Sequence, residues 1–259
     1  MLSTRLTLLG LTFCLSLLPV KADYVYAIDS RSVLAVFDTE RPAVTLSLSV
    51  VRGLQPGETV LGLDFRPATK ALYALGSTSR IYIVDPVSGL ATPLGDAPLS
   101  PALDGTKFGF SFNPTVDRIR LTSNNGQNLR LHPDTGVVAA TDGRLNYADG
   151  MTPGVVASAY TNSVAGATST TLYNFDLARR AVVIQSPPND GTLSVDIQLP
   201  ESTDFSELTS LDISPDTHKG FLATREKGAI RSQLYEIDFT AKTVTLTGTI
   251  GVLDQVSAL

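Results

Sequence analysis

Gly62-Leu63-Asp64-Phe65-Arg66-Pro67 returns along the chain as Gly109-Phe110-Ser111-Phe112-Asn113-Pro114 and as Ser210-Leu211-Asp212-Ile213-Ser214-Pro215, with a looser copy at Ala157-Ser158-Ala159-Tyr160-Thr161-Asn162. Each is a short run of alternating side chains stopped by a polar turn, which is how a strand reads in sequence. A second phrase follows every copy, a strand ending in Asp or a substitute for it: Ile81-Tyr82-Ile83-Val84-Asp85, Leu129-Arg130-Leu131-His132, Leu172-Tyr173-Asn174-Phe175-Asp176 and Leu234-Tyr235-Glu236-Ile237-Asp238. Leu34-Ala35-Val36-Phe37-Asp38 is a fifth copy of this second phrase, without a first phrase before it. A further strand follows the turn, as at Ala91 to Leu94 and Val244 to Thr247.

Units of roughly 40–50 residues with four short strands each are the signature of propeller blades. One four-stranded sheet cannot bury both its faces, whereas a ring of sheets stacked face to face can, leaving only short edges exposed. The expected fold is therefore all-β, a β-propeller of five four-stranded blades. The missing first phrase of the N-terminal unit is supplied from the far end, because Val256-Ser257-Ala258-Leu259 matches Val60-Leu61-Gly62-Leu63. The N- and C-terminal strands then close one blade. A six-bladed ring or an open β-solenoid is the alternative.

The first residues differ from the rest. Arg5 precedes an apolar run from Leu6 to Leu18, and Pro19-Val20-Lys21-Ala22 follows with small or β-branched residues where a signal peptidase reads. This is the pattern of a cleavable secretory signal over residues 1–22, with one domain over 23–259 and a periplasmic or extracellular destination. The run is too short for a membrane span, so no stable membrane insertion is expected after cleavage. The single cysteine, Cys14, follows Phe13 rather than a small residue, which speaks against lipid attachment, and the cleaved chain holds no cysteine. The 259-residue chain has 25 acidic against 20 basic residues. Cleavage removes Arg5 and Lys21 and no acid. An acidic chain without basic clusters is a poor partner for nucleic acid.

Phe108 to Arg120 (Phe-Gly-Phe-Ser-Phe-Asn-Pro-Thr-Val-Asp-Arg-Ile-Arg), then Gly126-Gln127-Asn128-Leu129-Arg130-Leu131 and Pro133-Asp134-Thr135-Gly136, closely resembles the bacterial DUF4394 family. Ala159-Tyr160-Thr161-Asn162 and Thr171-Leu172-Tyr173 fit the same pattern, and the resemblance covers nearly all of 23–259. Where that pattern has Asp at 111 and Asn at 132, this chain has Ser111 and His132. The family is defined as a domain of unknown function, so the resemblance implies no catalytic residues.

Few residue types here can carry chemistry. His132 and His218 are the two histidines, and no Asp-x-Asp-x-Asp-Gly loop is present. No metal and no cofactor is therefore expected. His132 stands where the other copies have a turn Asp and reads as a turn residue. Ser123 to Asn128 is oxygen-rich but carries Asn-Gly, the hairpin signal. Gly-x-Ser-x-Gly and the phosphate-cradling glycine loops are absent. Candidate ligand-binding residues are Asp64, Asn113, Arg118, Arg120, Arg130 and Asp212. Asp64 and Asp212 hold equivalent repeat positions: they either face the central channel or cap their own strand ends. Arg118 and Arg120 share a strand face, with Arg130 on the next strand. The three guanidiniums either bind a carboxylate or sulfate, or bridge structurally to Asp117 and Asp134.

The leading functional expectation is a non-catalytic exported propeller, a binding or scaffold module for an unknown small ligand or protein. The alternative is a channel-sited hydrolase or lyase that uses Asp64 and Asp212 as paired carboxylates. Neither follows from the fold alone.

Overall fold

The second phrase of every repeat ends in a side chain that accepts hydrogen bonds from the turn it opens. Asp38 takes the Glu40 N–H at 2.8 Å, Asp85 those of Val87 and Ser88 at 2.8 and 3.0 Å, and Asp238 those of Thr240 and Ala241 at 2.8 Å. Asp176 takes the Arg179 N–H at 3.0 Å. His132 does the same work through Nδ1, which accepts from the Asp134 N–H at 3.2 Å. A short polar acceptor at this point satisfies N–H groups that the turn leaves without strand partners. The first phrase ends similarly: Asn113 Oδ1 holds the Thr115 N–H at 3.0 Å, and Ser214 Oγ those of Asp216 and Thr217 at 3.2 and 3.1 Å. These turns close through Lys70, Asp117 and His218, all with positive φ.

The structure is a computed structural model describing residues 23–200, 204–226, 228–251, 253 and 256–259. The expected signal, residues 1–22, lies outside the described residues. Among those described there is no helix, and the strands form five sheets. The first holds β1 (Tyr24–Asp29), β2 (Val33–Asp38) and β3 (Arg41–Val50). The second holds β4 (Val60–Phe65), β5 (Leu72–Gly76), β6 (Arg80–Val84) and β7 (Ala91–Pro93). The third holds β8 (Phe108–Asn113), β9 (Arg118–Ser123), β10 (Asn128–Leu131) and β11 (Val138–Thr141). The fourth holds β12 (Asn146–Tyr147), β13 (Val155–Tyr160), β14 (Leu172–Asp176), β15 (Ala181–Gln185) and β16 (Thr192–Gln198). The fifth holds β17 (Thr209–Ile213), β18 (Gly220–Thr224), β19 (Gln233–Asp238) and β20 (Thr243–Thr249). Within each blade the four main strands run antiparallel, and β12 is an extra strand parallel to β16. The fold is a five-bladed β-propeller.

The last strand, β21 (Val256–Ala258), joins the first sheet in the order β21-β1-β2-β3, with Ile28 opposite Ala258 and Asp29 opposite Val256. Val256, Ala258 and Leu259 are all buried. The ring thus closes on a strand from the far end of the chain, and β21, β4, β8, β13 and β17 are the five inner strands.

Four of the five seams between blades are apolar cores. Leu63, Leu72 and Val84 pack against Ile28 and Leu34 between the first two blades, and Phe110, Phe112 and Leu121 against Tyr73 and Ile81 between the second and third. Phe175 and Val182 meet Leu211 and Leu222 between the fourth and fifth, and Phe221 and Leu234 meet Phe37 and Val256 where the ring closes. The seam between the third and fourth blades is different. A chain of buried polar side chains crosses it: Thr122 to Ser158 at 2.7 Å, Ser158 to Asn174 at 2.5 Å, Asn174 to Gln185 at 3.1 Å and Gln185 to Asn128 at 3.3 Å. Each of these five side chains has a partner, which is the condition under which a buried polar network holds rather than weakens a core; Arg120 at the same seam keeps one buried N–H, Nε, without one.

Inner strands approach one another closely, and this dictates small side chains. A Cβ on Gly109 would lie 2.0 Å from Ser158 Oγ, and one on Gly62 would lie 2.6 Å from Phe110 Cβ. The equivalent positions in the other blades are Ala157, Ser210 and Ala258.

Candidate functional site

The five small residues Gly62, Gly109, Ala157, Ser210 and Ala258 surround the waist of the central channel, where about 20 Å³ is open. That is room for about one water molecule. The channel is therefore two separate mouths for any solute. One mouth, about 180 Å³, is walled by Thr59, Thr106, Lys107, Glu207 and Thr209, and its opposite charges lie 3.7 Å apart as Lys107 and Glu207. The other is a vestibule of about 410 Å³ at the C-terminal ends of the inner strands. This volume lies in the range of small-molecule sites.

Apolar groups make much of the vestibule wall: Tyr26, Leu63, Phe65, Leu72, Phe221 and Leu259. Tyr26 and Phe65 meet edge to face, with ring centroids 4.9 Å apart. The charged groups are Asp23, Asp64, Asp212 and Asp216, with Lys70 as the one cation of the lining. Asp23 is fixed by the fifth blade, its carboxylate accepting from the Ser214 and Thr217 hydroxyls at 2.6 Å each.

Asp64 and Asp212 hold equivalent positions on β4 and β17, yet their surroundings separate them. At this position the side chain reaches forward to the inner strand of the next blade. Asp64 Oδ2 accepts from the Phe112 N–H at 2.6 Å, and Ser111 Oγ accepts from the Tyr160 N–H at 3.2 Å. Ala159, the next in the series, has no acceptor to offer. The Ile213 N–H is instead taken by Asp212 itself, through Oδ1 at 2.8 Å. Asp212 is therefore not spent on linking blades. It stands open to solvent in the vestibule, on one side of the three-residue strand β21, while Asp64 stands on the other.

Their electrostatics follow from this placing. Asp212 is reached by solvent but walled in by the surrounding strands. That enclosure pushes its carboxyl up to about 6, against the help of the Ile213 N–H and with the negative charge of Asp23 adding to the rise. Burial likewise raises Asp64 well above the usual carboxylate range, and the charge of Asp212 raises it further. The N–H groups of Phe112 and Phe65 and the Ser111 hydroxyl oppose the rise. The two carboxyls act as an interacting pair, which takes up a proton at a pH where an isolated aspartate is ionised.

The remaining sequence candidates lie outside the vestibule lining. Asn113 caps its own turn. Arg118 donates to the Asp117 carbonyl at 2.8 Å. Arg120, 2% exposed, is the centre of the polar seam: it donates to Asn128 Oδ1 at 2.8 Å, Asp142 Oδ2 at 2.5 Å and Asn189 Oδ1 at 2.8 Å. Arg130, opposite Arg120 in the ladder, grips Asp142 with two bonds of 2.9 Å. Asp142 thus carries both guanidiniums. The acids expected to pair with them, Asp117 and Asp134, belong to Arg66, which reaches across from the second blade to both at 2.5 Å. The arginine group is a set of bridges inside and between blades, with partners other than those expected.

Sequence reasoning missed Asp23, Tyr26, Phe221 and Ser163 in the vestibule wall. They come from turns and second strands that carry no repeated mark. Ser210 had a signal, since it is the polar member of the small-residue ring; its hydroxyl is buried without a hydrogen-bond partner. Among the described residues no three His, Cys, Asp or Glu side chains are grouped to hold a metal ion. Likewise, no helix among the described residues is long and apolar enough to cross a membrane.

Comparison with one solved structure supports the fold. A glutaminyl cyclase from Myxococcus xanthus aligns with a TM-score of 0.50 at 10% identity, over 88% of this chain and 97% of that one. The Dos1 propeller aligns at 0.43 and 15% identity over 82% of this chain, and TolB from Acinetobacter baumannii at 0.44 and 16% over 88%. This chain spans about half the length of these last two, 53% and 52%. No curated protein sequence matches. The model of one family, described as a domain of unknown function, matches residues 33–259, and the chain belongs to that family, DUF4394.

Proposed function

We propose that this protein is exported and acts as a non-catalytic binding module, holding a small ligand in the vestibule at the wide mouth of its propeller channel. One observation carries the reading: the wide mouth ends blindly at the waist, has apolar walls and holds the solvent-facing carboxylate of Asp212. Few polar groups placed in an apolar cavity are what small-molecule sites use for orientation. The arginines favour the same reading by subtraction, since Arg66, Arg120 and Arg130 are occupied by Asp117, Asp134 and Asp142 and leave no anion clamp at this mouth.

A second reading keeps the site and makes it a hydrolase or lyase. The raised titrations of Asp64 and Asp212 favour it, because paired carboxyls with displaced titrations suit acid–base chemistry. Against it stands Asp64, whose carboxyl is tied into the wall by Phe112, Ser111 and Phe65.

Mass spectrometry of the protein purified from the cell envelope tests the proposal. The expected polypeptide begins at Asp23 and releases one small molecule on denaturation. The Ser163→Trp variant, which fills part of the vestibule, should release none. A chain still carrying residues 1–22 refutes export. Equal ligand recovery from Ser163→Trp refutes the vestibule as the site, and recovery of a cleaved product pair favours the second reading.

A further inference from the structure

Resting on the reading of the vestibule as a binding site, we infer that its ligand is a small organic monocation: an ammonium group held by Asp212, with an apolar remainder lying against Tyr26, Phe65, Phe221 and Leu259.

The lining brings four aspartates together with one lysine. Two of the four have partners that fix them as wall: Asp23 is bonded to Ser214 and Thr217, and Asp64 to Phe112. Asp212, bonded to its own Ile213 N–H, presents its carboxylate to the cavity. An anionic ligand would meet four aspartates with Lys70 as the one offsetting cation of the lining, and a neutral apolar one would leave Asp212 facing an oily surface. An inorganic cation fits poorly, because no three acidic side chains are grouped as a coordination shell among the described residues and much of the rest of the wall is apolar. An organic ammonium satisfies both parts of the wall at once. Its N–H groups donate to the carboxylate in charge-assisted bonds, and its cationic head also suits the faces of Tyr26 and Phe65.

A second observation points the same way. Ser210 lies two residues before Asp212, hence on the same face of β17. Its side chain lines the waist, it is 7% exposed, and its hydroxyl oxygen has no hydrogen-bond partner. A buried hydroxyl is ordinarily satisfied. The waist beside Ser210 has room for about one water, so an ammonium held by Asp212 on the vestibule side reaches this hydroxyl through that water rather than directly.

The test uses two matched sets of probes: phenethylammonium, 3-phenylpropionate and 2-phenylethanol, and hexylammonium, hexanoate and hexanol. Calorimetry reads affinity, and backbone amide shifts of Phe65, Ile213 and Leu259 read the place. Both ammonium probes should bind at those amides, with the carboxylates at least about tenfold weaker. Asp212→Asn should weaken the ammonium probes by about tenfold or more, Ser210→Ala by a smaller factor, and Arg118→Ala should change nothing. Carboxylates or alcohols binding as tightly at the same amides, or Asp212→Asn without effect, overturns the ligand class and leaves the vestibule as a binding site. If no member of either set moves those amides, the vestibule reading falls with it.

Discussion

Replacing Asp212 by Asn should make the protein more stable, which is unusual for a substitution in a polar position. The carboxyl titrates near 6 in the folded chain against an ordinary 3.8. A raised folded value means that the native state holds the proton more tightly than the unfolded one. The associated stability is complete below about 3.8 and is lost as the pH rises through about 6. At about 1.36 kcal/mol per pH unit, the ceiling on that loss is about 3 kcal/mol. Asp212 faces solvent, which screens its repulsion from Asp23 and Asp64, so the net effect is about 1 kcal/mol. Asn keeps an acceptor for the Ile213 N–H and removes the charge. The groups facing position 212 are Asp23, Asp64 and Asp216, with Lys70 as the one opposing charge of the lining. At pH 7.5, D212N should therefore melt about 2–4 °C above the parent. Near pH 3.5, where both chains are uncharged at this position, the two should melt together. Calorimetric melts of both proteins at the two pH values decide it. An unchanged or lower melting temperature at pH 7.5, or a gap that persists at pH 3.5, would refute the reading that Asp212 carries its charge against its surroundings.

Two further outcomes follow from the fold. Asp142→Ala leaves the side chain of Arg120, 3% exposed, without its counter-charge, and should cost about 3–5 kcal/mol in urea unfolding. In the same assay Arg118→Ala, which loses one bond to a neighbouring carbonyl, should stay within about 0.5 kcal/mol of the parent. Removing Val256 to Leu259 withdraws two large buried side chains and the pairing of Ile28 with Ala258, a loss of about 3–6 kcal/mol from burial alone. Unchanged unfolding of the shortened chain would mean that β21 does not close the ring.

The five-blade ring was legible because repeated phrases are local. Alternation sets the strands, the turn acceptors Asp38, Asp85, His132, Asp176 and Asp238 mark the same bend in every copy, and the kinship of Val256-Ser257-Ala258-Leu259 with Val60-Leu61-Gly62-Leu63 identifies the closing strand. Repeat register also made Asp64 and Asp212 equivalent. It could not reveal their difference, which depends on what stands in the next blade: Phe112 beside Asp64, and for the Ile213 N–H an Ala159 that cannot reach it. The arginine group shows the same limit. Arg120 and Arg130 were placed correctly on facing strands, but their choice of Asp142, and the choice of Asp117 and Asp134 by Arg66, is made between blades.

By itself the sequence determined the strand units, their turns, their number and the order in which they meet, because these rest on side-chain periodicity and turn chemistry within a few residues of one another. Only the tertiary structure decided which mouth of the channel is the wider, that the third and fourth blades meet through a polar seam, and that Asp212 faces a cavity. Those features arise where residues from different blades converge, and burial and charge at such a point depend on all of them together.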